Sequence, residues 1–417
     1  MRREFVHIII IYIAAISVWL AGWQADAQTF TIRSVIAERE AQAAADSSLD
    51  WPDHLQARLS ELVCNPMFEH SQLGLYVYDL TADSALFEQG KRQLLRPAST
   101  QKLLTAITAL AQLGGSYRFE TSIYRTGELA DSVLHGDLYV VGGFDPRFGY
   151  DDLRAMVDKL ASSGVRRIDG RLFLDVSMKD TLAWGWGWCW DDELAPLSPL
   201  TVNGHDDFSA ALFRALGSVG ISFVGATENA VCPAGAVLVA SRHHSMDQIL
   251  TEVLKESNNH YAEALFYQLG AQDGMAYPSG EESARCVERL VASLGLPFSD
   301  CRVADGSGLS LYNYLTPEVL VAALRYAYQN SEIYAHLKPA LPVAGCDGTL
   351  RRRMTTGNAC ANVFAKTGTV EGVSTLAGYA AAANGHLLCF AIMNQGVLSQ
   401  APARRFQDSV CEALTSP

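Results

Sequence analysis

Residues 97–102 read Pro97-Ala98-Ser99-Thr100-Gln101-Lys102 and open an apolar run that stops at Gly114-Gly115. The spacing of apolar residues in that run predicts a helix over residues 100–113. Positions three apart share one face of a helix, so the Lys102 amine is expected beside the Ser99 hydroxyl. A buried lysine with a lowered pKa can take the proton of a serine, which makes this pair a candidate base and nucleophile. The alternative is a capping serine and a surface lysine.

Two further motifs contain groups that can bind or activate a substrate. Lys366-Thr367-Gly368 follows the strand-like Val363-Phe364-Ala365. Its ammonium and hydroxyl can hold a carboxylate, and the small glycine lets the backbone approach a ligand. In Ser257-Asn258-Asn259 the serine can relay a proton and Asn259 can hold an amide. Taken singly, Lys366-Thr367-Gly368 could be an ordinary strand that ends in a turn, and Ser257-Asn258-Asn259 could be a break between two helices.

The order of the three motifs is more specific than any one of them. Ser-x-x-Lys, then Ser-x-Asn, then Lys-Thr-Gly resembles the penicilloyl-serine transferase superfamily, which includes penicillin-binding proteins and serine β-lactamases. Other segments are similar to the class C low-molecular-mass penicillin-binding proteins, which are D-alanyl-D-alanine carboxypeptidases/endopeptidases. These segments are residues 142–146 (GGFDP), 190–192 (WDD), 200–203 (LTVN), 304–310 (ADGSGLS) with Asn313, and 344–350 (AGCDGTL). The resemblance runs from about residue 50 to the C-terminus.

This resemblance implies a role for each matching residue. Ser99 would be the acylated nucleophile and Lys102 its base. The remaining catalytic residues would be Ser257, Asn259 and Lys366, and the substrate-binding residues Thr367, Gly368, Thr369 and Asp145. The oxyanion hole would be formed by the backbone N–H groups of Ser99 and Thr369. No cofactor and no metal are implied.

Recognition of the substrate side chain depends on two positions. Asp145 matches an aspartate that in this family reaches the amine of the diamino acid in the peptidoglycan stem. The family often has an arginine after Gly-Leu-Ser, where this chain has Leu311. The identity of the diamino acid therefore stays open, with Arg351 as an alternative partner for a carboxylate.

The predicted fold class is α+β. Strand-like patterns lie at residues 73–80 and 85–89 and again at 363–366, 375–381 and 387–392, with a mainly helical stretch over 246–328. The two ends are therefore expected to share one antiparallel sheet with flanking helices. The resemblance implies a penicillin-binding/β-lactamase-like transpeptidase fold with a smaller inserted α/β domain. We predict a peptidase domain over residues 28–119 and 240–417 and an inserted domain over 120–239.

The N-terminus resembles an export signal. Arg2-Arg3 precede the apolar run 8–20, and Ala25-Asp26-Ala27 is an A-x-A-like cleavage site, which predicts a signal peptide over residues 1–27. The alternative is a short uncleaved anchor. Nine cysteines in an exported chain make disulfides plausible. Because the number is odd, at least one cysteine has no partner within the chain, and the pairing of the others stays open. The mature protein is expected in the periplasm or cell envelope, with peripheral envelope association as one option.

Composition narrows the function further. A formal net charge of −13 without a basic run argues against nucleic acid as a partner. Four of the seven tryptophans lie at 184, 186, 188 and 190, in a loop expected to be packed or ligand-facing rather than a sugar-binding platform. His243-His244 lack a matching set of metal ligands. The partners implied by the resemblance are peptidoglycan stem peptides, with β-lactam antibiotics as inhibitors.

The sequence therefore predicts a serine-type DD-peptidase, a hydrolase that cleaves D-Ala-D-Ala termini, D-Ala cross-links or both through an acyl-enzyme on Ser99. Two alternatives stay open. One is a serine β-lactamase, which would need efficient deacylation, although no convincing Glu-x-x-Leu-Asn segment is present. The other is a β-lactam sensor or cell-wall scaffold that keeps the fold without turnover. Carboxypeptidase against endopeptidase preference and the oligomeric state are not decided by the sequence.

Overall fold

The structure is a computed structural model that describes residues 50–192, 194–272, 276–297 and 301–417. The predicted signal peptide over residues 1–27 lies outside the described residues. The chain divides into two units between Glu61 and Leu62, and of the first unit the structure describes residues 50–61. Over the residues described, no helix is both long enough and apolar enough to cross a membrane.

The described chain begins and ends with strands and helices, and a purely helical stretch lies between β11 and β12. The α-helices are α1 Asp53–Val63, α2 Gln101–Leu113, α3 Tyr150–Ser162, α4 Phe208–Ser218, α5 Met246–Leu254, α6 Asn259–Ala271, α7 Gly280–Ser293, α8 Pro317–Gln329, α9 Ser331–Ala340 and α10 Gln400–Thr415. The strands are β1 Gln72–Asp79, β2 Ser84–Gln89, β3 Arg118–Arg125, β4 Glu128–Ala130, β5 Val133–His135, β6 Leu138–Val141, β7 Arg167–Ile168, β8 Leu172–Asp175, β9 Ser222–Phe223, β10 Thr227–Asn229, β11 Val237–Ser245, β12 Val363–Val370, β13 Val373–Ala381 and β14 Leu387–Gln395. Short 3₁₀ turns occur at Pro66–Glu69, Ala98–Thr100 and Gly348–Leu350.

The main sheet joins strands from both ends of the chain, as the sequence predicted. Its order is β12-β13-β14-β1-β2, and every neighbouring pair is antiparallel. Leu75 of β1 lies opposite Ile392 of β14, so the last strand is paired with the first. Helix α8 packs against β14 and helix α10 against β13. Because helices cover these strands, their residues are buried along the whole strand instead of alternating between buried and exposed. Residues 388–394 of β14, for example, are all buried.

A group of helices packs beside this sheet around α2. Every residue of α2 from Gln101 to Leu110 is buried, because α6, α7, α8 and α9 surround it. The mainly helical stretch begins with two helices, since α5 ends at Leu254 and α6 begins at Asn259, with Ser257-Asn258 in the break between them. The Asn258 side chain accepts a hydrogen bond from Tyr261 N and so caps α6. The apolar pattern does not show this break, because both helices bury a face in the same core.

The segment between β3 and β11 has two sheets and a hydrophobic cluster of its own. The five-stranded sheet has the order β10-β8-β6-β3-β11, and the four-stranded sheet the order β4-β5-β7-β9. Strand β8 is parallel to both of its neighbours, which gives this part a mixed α/β character. Strands β3 and β11 are adjacent and antiparallel. The chain therefore enters and leaves the segment side by side, and the predicted boundaries at residues 120 and 240 fall inside these two strands.

Candidate active site

Ser99 lies in a tight turn that leads into α2. The turn Ala98–Thr100 is 3₁₀, and Ala98 has a φ of +46°, a left-handed conformation that is unfavourable for a residue with a Cβ. Thr100 Oγ1 donates to Pro97 O at 2.6 Å, and Thr375 Oγ1 of β13 donates to the same oxygen at 2.8 Å. The turn is thus fixed from its own chain and from the sheet. Strained backbone of this kind is typical of functional sites.

Lys102 is fully buried one helical turn from Ser99, as the sequence predicted. Its Nζ lies 3.0 Å from Ser99 Oγ, 2.7 Å from Asn259 Oδ1 and 2.7 Å from the backbone oxygen of Ser307. Burial lowers the pKa of Lys102 to about 8, although the charges of Asp305 and Glu263 act in the opposite direction. A neutral amine therefore becomes accessible near neutral pH.

The partners of Lys102 determine where its lone pair points. A neutral amine has two N–H donors and one lone pair, and the amide oxygen of Asn259 and the carbonyl oxygen of Ser307 can only accept. When both N–H groups are used on these oxygens, the lone pair is left for the third partner, the Ser99 hydroxyl. This geometry suits Lys102 as the general base for Ser99.

Lys366 stands on the opposite side of the site, on strand β12. It is also fully buried, and its Nζ donates to Ser257 Oγ at 2.8 Å and to Thr367 O at 2.7 Å. Burial, followed by the charge of Lys102, lowers the pKa of Lys366 well below its ordinary value. Ser257 has a φ of +60° in the break between α5 and α6, which turns its hydroxyl toward the lysine. The three predicted motifs are thus assembled in two hydrogen-bonded sets.

Gly368 allows strand β12 to lie against the Ser99 turn. A Cβ at this position would stand 2.1 Å from Thr375 Oγ1, 2.8 Å from Pro97 O and 2.9 Å from Ser99 N. Real Cβ atoms do not approach backbone this closely, so only glycine fits. Strand β12 is an edge strand, and the exposed Thr369 follows Gly368 on it. This places the two predicted oxyanion-hole residues on adjoining segments. Thr367 Oγ1 also lies 2.8 Å from Thr349 Oγ1.

Asp145 occupies a different environment from the other predicted residues. Its buried carboxylate lies 2.6 Å from His244 Nδ1 and accepts from Arg147 N at 3.0 Å. Burial raises its pKa, and the contact with His244 opposes that shift. In the part of the chain that the structure describes, no hydrogen bond joins Asp145 to Ser99, Lys102 or Lys366. His244, which the sequence had marked only as lacking a ligand set, is its principal partner.

Two acidic residues behind Lys102 were not predicted as site residues. Glu263 lies on α6, one turn after Asn259, and Asp305 lies in the loop of residues 304–313 that supplies the Ser307 carbonyl. Both are buried, with 1% and 2% exposure. The available signal was a single glutamate within the otherwise apolar residues 262–266 (AEALF), placed four positions after Asn259 and hence on its face of the helix.

The described residues contain no group of three or more His, Cys, Asp or Glu side chains arranged to hold a metal ion. The side chains that meet at the site are Ser99 beside the buried Lys102 and Ser257 beside the buried Lys366. A serine beside a buried lysine, set between an all-helical region and the edge of an antiparallel sheet, defines a serine hydrolase of the penicillin-binding class.

Comparison with known proteins identifies the family. The family model for the D-Ala-D-Ala carboxypeptidase 3 (S13) family matches residues 55–206 and 200–416. The chain belongs to this family, whose members among the penicillin-binding proteins form low-molecular-mass class C, as the sequence predicted.

Individual relatives agree with this assignment. The D-alanyl-D-alanine carboxypeptidase DacB of Haemophilus influenzae is 25% identical over an alignment of 429 positions that spans 82% of this chain and 89% of the relative. The D-alanyl-D-alanine carboxypeptidase of Actinomadura sp. strain R39 is 28% identical over an alignment of 469 positions that spans 89% of this chain and 86% of that protein.

Solved structures confirm the predicted fold class. The crystal structure of penicillin binding protein 4 (dacB) from Haemophilus influenzae matches with a TM-score of 0.79 at 23% identity, over 86% of this chain and 99% of that one. The same protein complexed with a β-lactam matches with a TM-score of 0.73 at 25% identity, over 86% and 100% of the two chains.

Proposed function

We propose that this serine carboxypeptidase hydrolyses peptide bonds that follow D-alanine in peptidoglycan stem peptides, through an acyl-enzyme on Ser99. The observation that carries the proposal is the contact of Lys102 Nζ with Ser99 Oγ at 3.0 Å, in a buried site where the amine has two other partners that only accept. The family assignment supports it, because the relatives are named D-alanyl-D-alanine carboxypeptidases.

Acylation follows from the arrangement of the helix side of the site. Lys102 takes the proton of Ser99 as the serine oxygen attacks the carbonyl carbon of D-alanine. The negative charge of the tetrahedral intermediate falls on the former carbonyl oxygen, where the N–H groups of Ser99 and Thr369 are suited to stabilise it. The C–N bond then breaks, and the leaving amine needs one proton to depart.

Ser257 is suited to deliver that proton. Its hydroxyl is hydrogen-bonded to Lys366 Nζ at 2.8 Å. Ser257 can therefore pass its proton to the leaving nitrogen while it takes a proton from Lys366. Lys366 and Thr367 are also suited to hold the terminal carboxylate of the substrate by charge-assisted hydrogen bonds. Water then attacks the acyl carbon, and its proton passes through Ser257 back to Lys366. The C–O bond to Ser99 breaks, Lys102 returns to the Ser99 oxygen the proton that it took during acylation, and the shortened peptide is released.

A β-lactam carries a strained amide that Ser99 would open in the same way, and one structure neighbour was solved complexed with a β-lactam. The decisive experiment is labelling with a fluorescent penicillin. We expect the protein to be labelled and the variant Ser99→Ala to be unlabelled. Ser218→Ala, which changes an exposed serine of α4, is the matched control and should label fully. Full labelling of Ser99→Ala would overturn the proposal.

The lifetime of the penicilloyl-enzyme and the release of D-alanine distinguish the alternative functions. Rapid loss of the penicilloyl label would favour a serine β-lactamase, and a stable label without release of D-alanine from a pentapeptide would favour a sensor or scaffold. Digestion of purified peptidoglycan with identification of the products then distinguishes carboxypeptidase from endopeptidase activity.

We also propose that the enzyme acts outside the cytoplasm, after removal of residues 1–27. The proposal rests on the charge, apolar run and cleavage site of the N-terminal sequence. Mass analysis of the mature protein should find Gln28 at its N-terminus. Retention of Met1 in the exported protein would indicate an uncleaved anchor instead.

A further inference from the structure

Two buried carboxylates lie behind the catalytic lysine, and the chemistry described so far does not use them. They are Glu263 of α6 and Asp305 of the 304–313 loop, and we refer to them as the acid pair. Buried carboxylates are costly unless every oxygen has a partner, so their presence next to the site calls for a reason.

Glu263 holds the segment that faces Lys102. Its Oε1 accepts from Ser307 N at 2.8 Å and its Oε2 accepts from Gly306 N at 3.2 Å. Thr105 Oγ1 of α2 donates to Gly306 O at 2.8 Å and fixes the same peptide from the other side. The Ser307 carbonyl is thereby directed at Lys102 Nζ, 2.7 Å away.

Asp305 holds the rest of the loop through four hydrogen bonds. Its Oδ1 accepts from Gly308 N and from Asn313 Nδ2, both at 2.7 Å. Its Oδ2 accepts from Ser310 N at 2.7 Å and from Trp188 Nε1 at 2.9 Å. The closed loop brings Gly308 against the Ser99 turn, where a Cβ on residue 308 would lie 1.9 Å from Ala98 O.

The acid pair also supplies negative charge to a region that has to accept a positive one. Proton transfer from Ser99 creates an ammonium on Lys102, which is fully buried. The charges of Asp305 and, to a lesser extent, Glu263 raise the pKa of Lys102 against the effect of burial. Burial, and then the charge of Asp305, raise the pKa of Glu263 to about 8. The other titratable groups nearby are Lys366, which faces Lys102, and Tyr267, which faces the acid pair.

We propose that Glu263 and Asp305 are positioning residues for the general base: both carboxylates fix the loop whose Ser307 carbonyl orients the Lys102 amine, and the charge of Asp305 stabilises the ammonium formed when Ser99 is deprotonated. This inference deepens the proposed function and rests on it. It also makes Trp188 part of the same arrangement, since its indole N–H fixes Asp305 from the segment between β3 and β11.

The test measures penicillin acylation as two separate quantities, the noncovalent dissociation constant and the first-order acylation rate constant, from pH 5 to pH 10. For Asp305→Asn we expect the rate constant to fall about 100-fold and the dissociation constant to change by less than about threefold. Loss of the negative charge lowers the pKa of Lys102, so the rising limb of the rate against pH should move to lower pH. Glu263→Gln should lower the rate constant about tenfold and leave the limb closer to its wild-type position, because Asp305 has the larger charge effect on Lys102.

A buried carboxylate elsewhere in the chain provides the matched control. Asp79 is fully buried and accepts from Thr81 N at 2.9 Å and Ala82 N at 3.0 Å in the turn after β1. Asp79→Asn should lose stability as the acid-pair variants do, but keep the wild-type rate constant and limb. Wild-type values in folded Asp305→Asn and Glu263→Gln, or the same loss in Asp79→Asn, would overturn the inference.

A milder variant covers the case in which the carboxamides do not fold. Trp188→Phe keeps an aromatic ring in place and removes one of the four donors to Asp305. We expect a fall in the acylation rate constant of about threefold with an unchanged dissociation constant. An unchanged rate constant would count against the inference. Labelling of the wild type and its loss in Ser99→Ala establish the proposed function independently, so the two can fail separately.

Discussion

The two buried lysines of the active site stand in regions of opposite character. The helix side, formed by α2, α6 and the 304–313 loop, surrounds Lys102 with two carbonyl-type oxygens and places two carboxylates behind them. The strand side is formed by β12, the Gly348–Leu350 turn and the break between α5 and α6, and it gives Lys366 the Ser257 hydroxyl and the carbonyl oxygen of Thr367. In the described chain, burial and the charge of Lys102 lower the pKa of Lys366, and no carboxylate opposes them as at Lys102.

This difference separates two uses of the same side chain. In the proposed mechanism Lys102 gains and loses a proton in every cycle. Its ammonium therefore needs negative charge nearby, but not so much that the amine stays protonated. Lys366 has to hold a hydroxyl and an anionic substrate, and the substrate itself brings the negative charge that favours its ammonium. A site with two buried lysines therefore needs the acids on one side only.

The largest expected effect comes from removing the base. Lys102→Met keeps an unbranched apolar stem but removes the amine, and we expect the rate of penicillin acylation to fall by about 10³-fold or more. Lys179→Met is the matched control, because Lys179 is also fully buried but donates to Asp180 and Leu182. Equal losses in the two variants would show that burying a lysine, not its place beside Ser99, is what matters. Stopped-flow or gel-based acylation measures both.

The next effect tests how closely the two sides meet. Gly368→Ala puts a Cβ into backbone atoms of residues 97 and 99, so β12 must move away from the Ser99 turn. We expect the acylation rate to fall about 100-fold, the loss typical of a catalytic group displaced by about 1 Å. Gly217→Ala in the exposed face of α4 meets nothing within 4 Å and serves as the control. Thermal unfolding should leave the control variant at or above the wild type.

The pH dependence of acylation tests the helix side, because the rate is expected to follow the protonation of Lys102. The pKa of Lys102 is about 8, so only about a tenth of the amine is neutral at pH 7. The neutral fraction grows as the pH rises through 8, and the acylation rate should increase about tenfold between pH 7 and pH 9. A rate that is flat across this range, measured in buffers of constant ionic strength, would contradict Lys102 as the titrating base.

The smallest effect belongs to the strand side. Thr349→Val removes the hydroxyl that contacts Thr367 Oγ1 at 2.8 Å but keeps a β-branched side chain. We expect the KM for a D-Ala-D-Ala peptide to rise about threefold while the pH profile stays in place. A shift of the profile in this variant would mean that the Thr349 hydroxyl influences the titration of Lys102, which the geometry does not predict.

The sequence predicted those parts of the fold in which local pattern and burial agree. Helix α2 and strands β13 and β14 have apolar runs of the right length, and the pairing of the two chain ends followed from their order. Strand β12 was predicted only over residues 363–366 and extends to Val370, because the polar Lys366-Thr367-Gly368-Thr369 also pair with β13. The family resemblance added the fold class, which the comparisons confirm. The mixed topology of the segment between β3 and β11 was not predictable in this way, since strands β7 and β9 are two residues long and have no periodicity to detect.

The candidate site shows the same division. Ser99 and Lys102 could be paired from the sequence because a helix fixes the distance between positions three apart. Glu263 could not be assigned, since its partners Gly306 and Ser307 are more than 40 positions away and contribute only backbone N–H groups. Backbone donors leave no trace in residue type. The contact of Trp188 with Asp305 joins two side chains, but they are 117 positions apart, and no local pattern relates positions at that separation.

The sheet order has a consequence for when the enzyme becomes active. Lys366 stands on β12, and within the sheet β12 is joined to β1 only through β13 and β14. The nucleophile is made early in the chain and the strand that completes its site is aligned by one of the last segments, Leu387–Gln395. A chain that is not yet synthesised to this segment lacks the strand that joins β13 to β1. We therefore expect the enzyme to gain its activity only at the end of its synthesis, once β14 has entered the sheet.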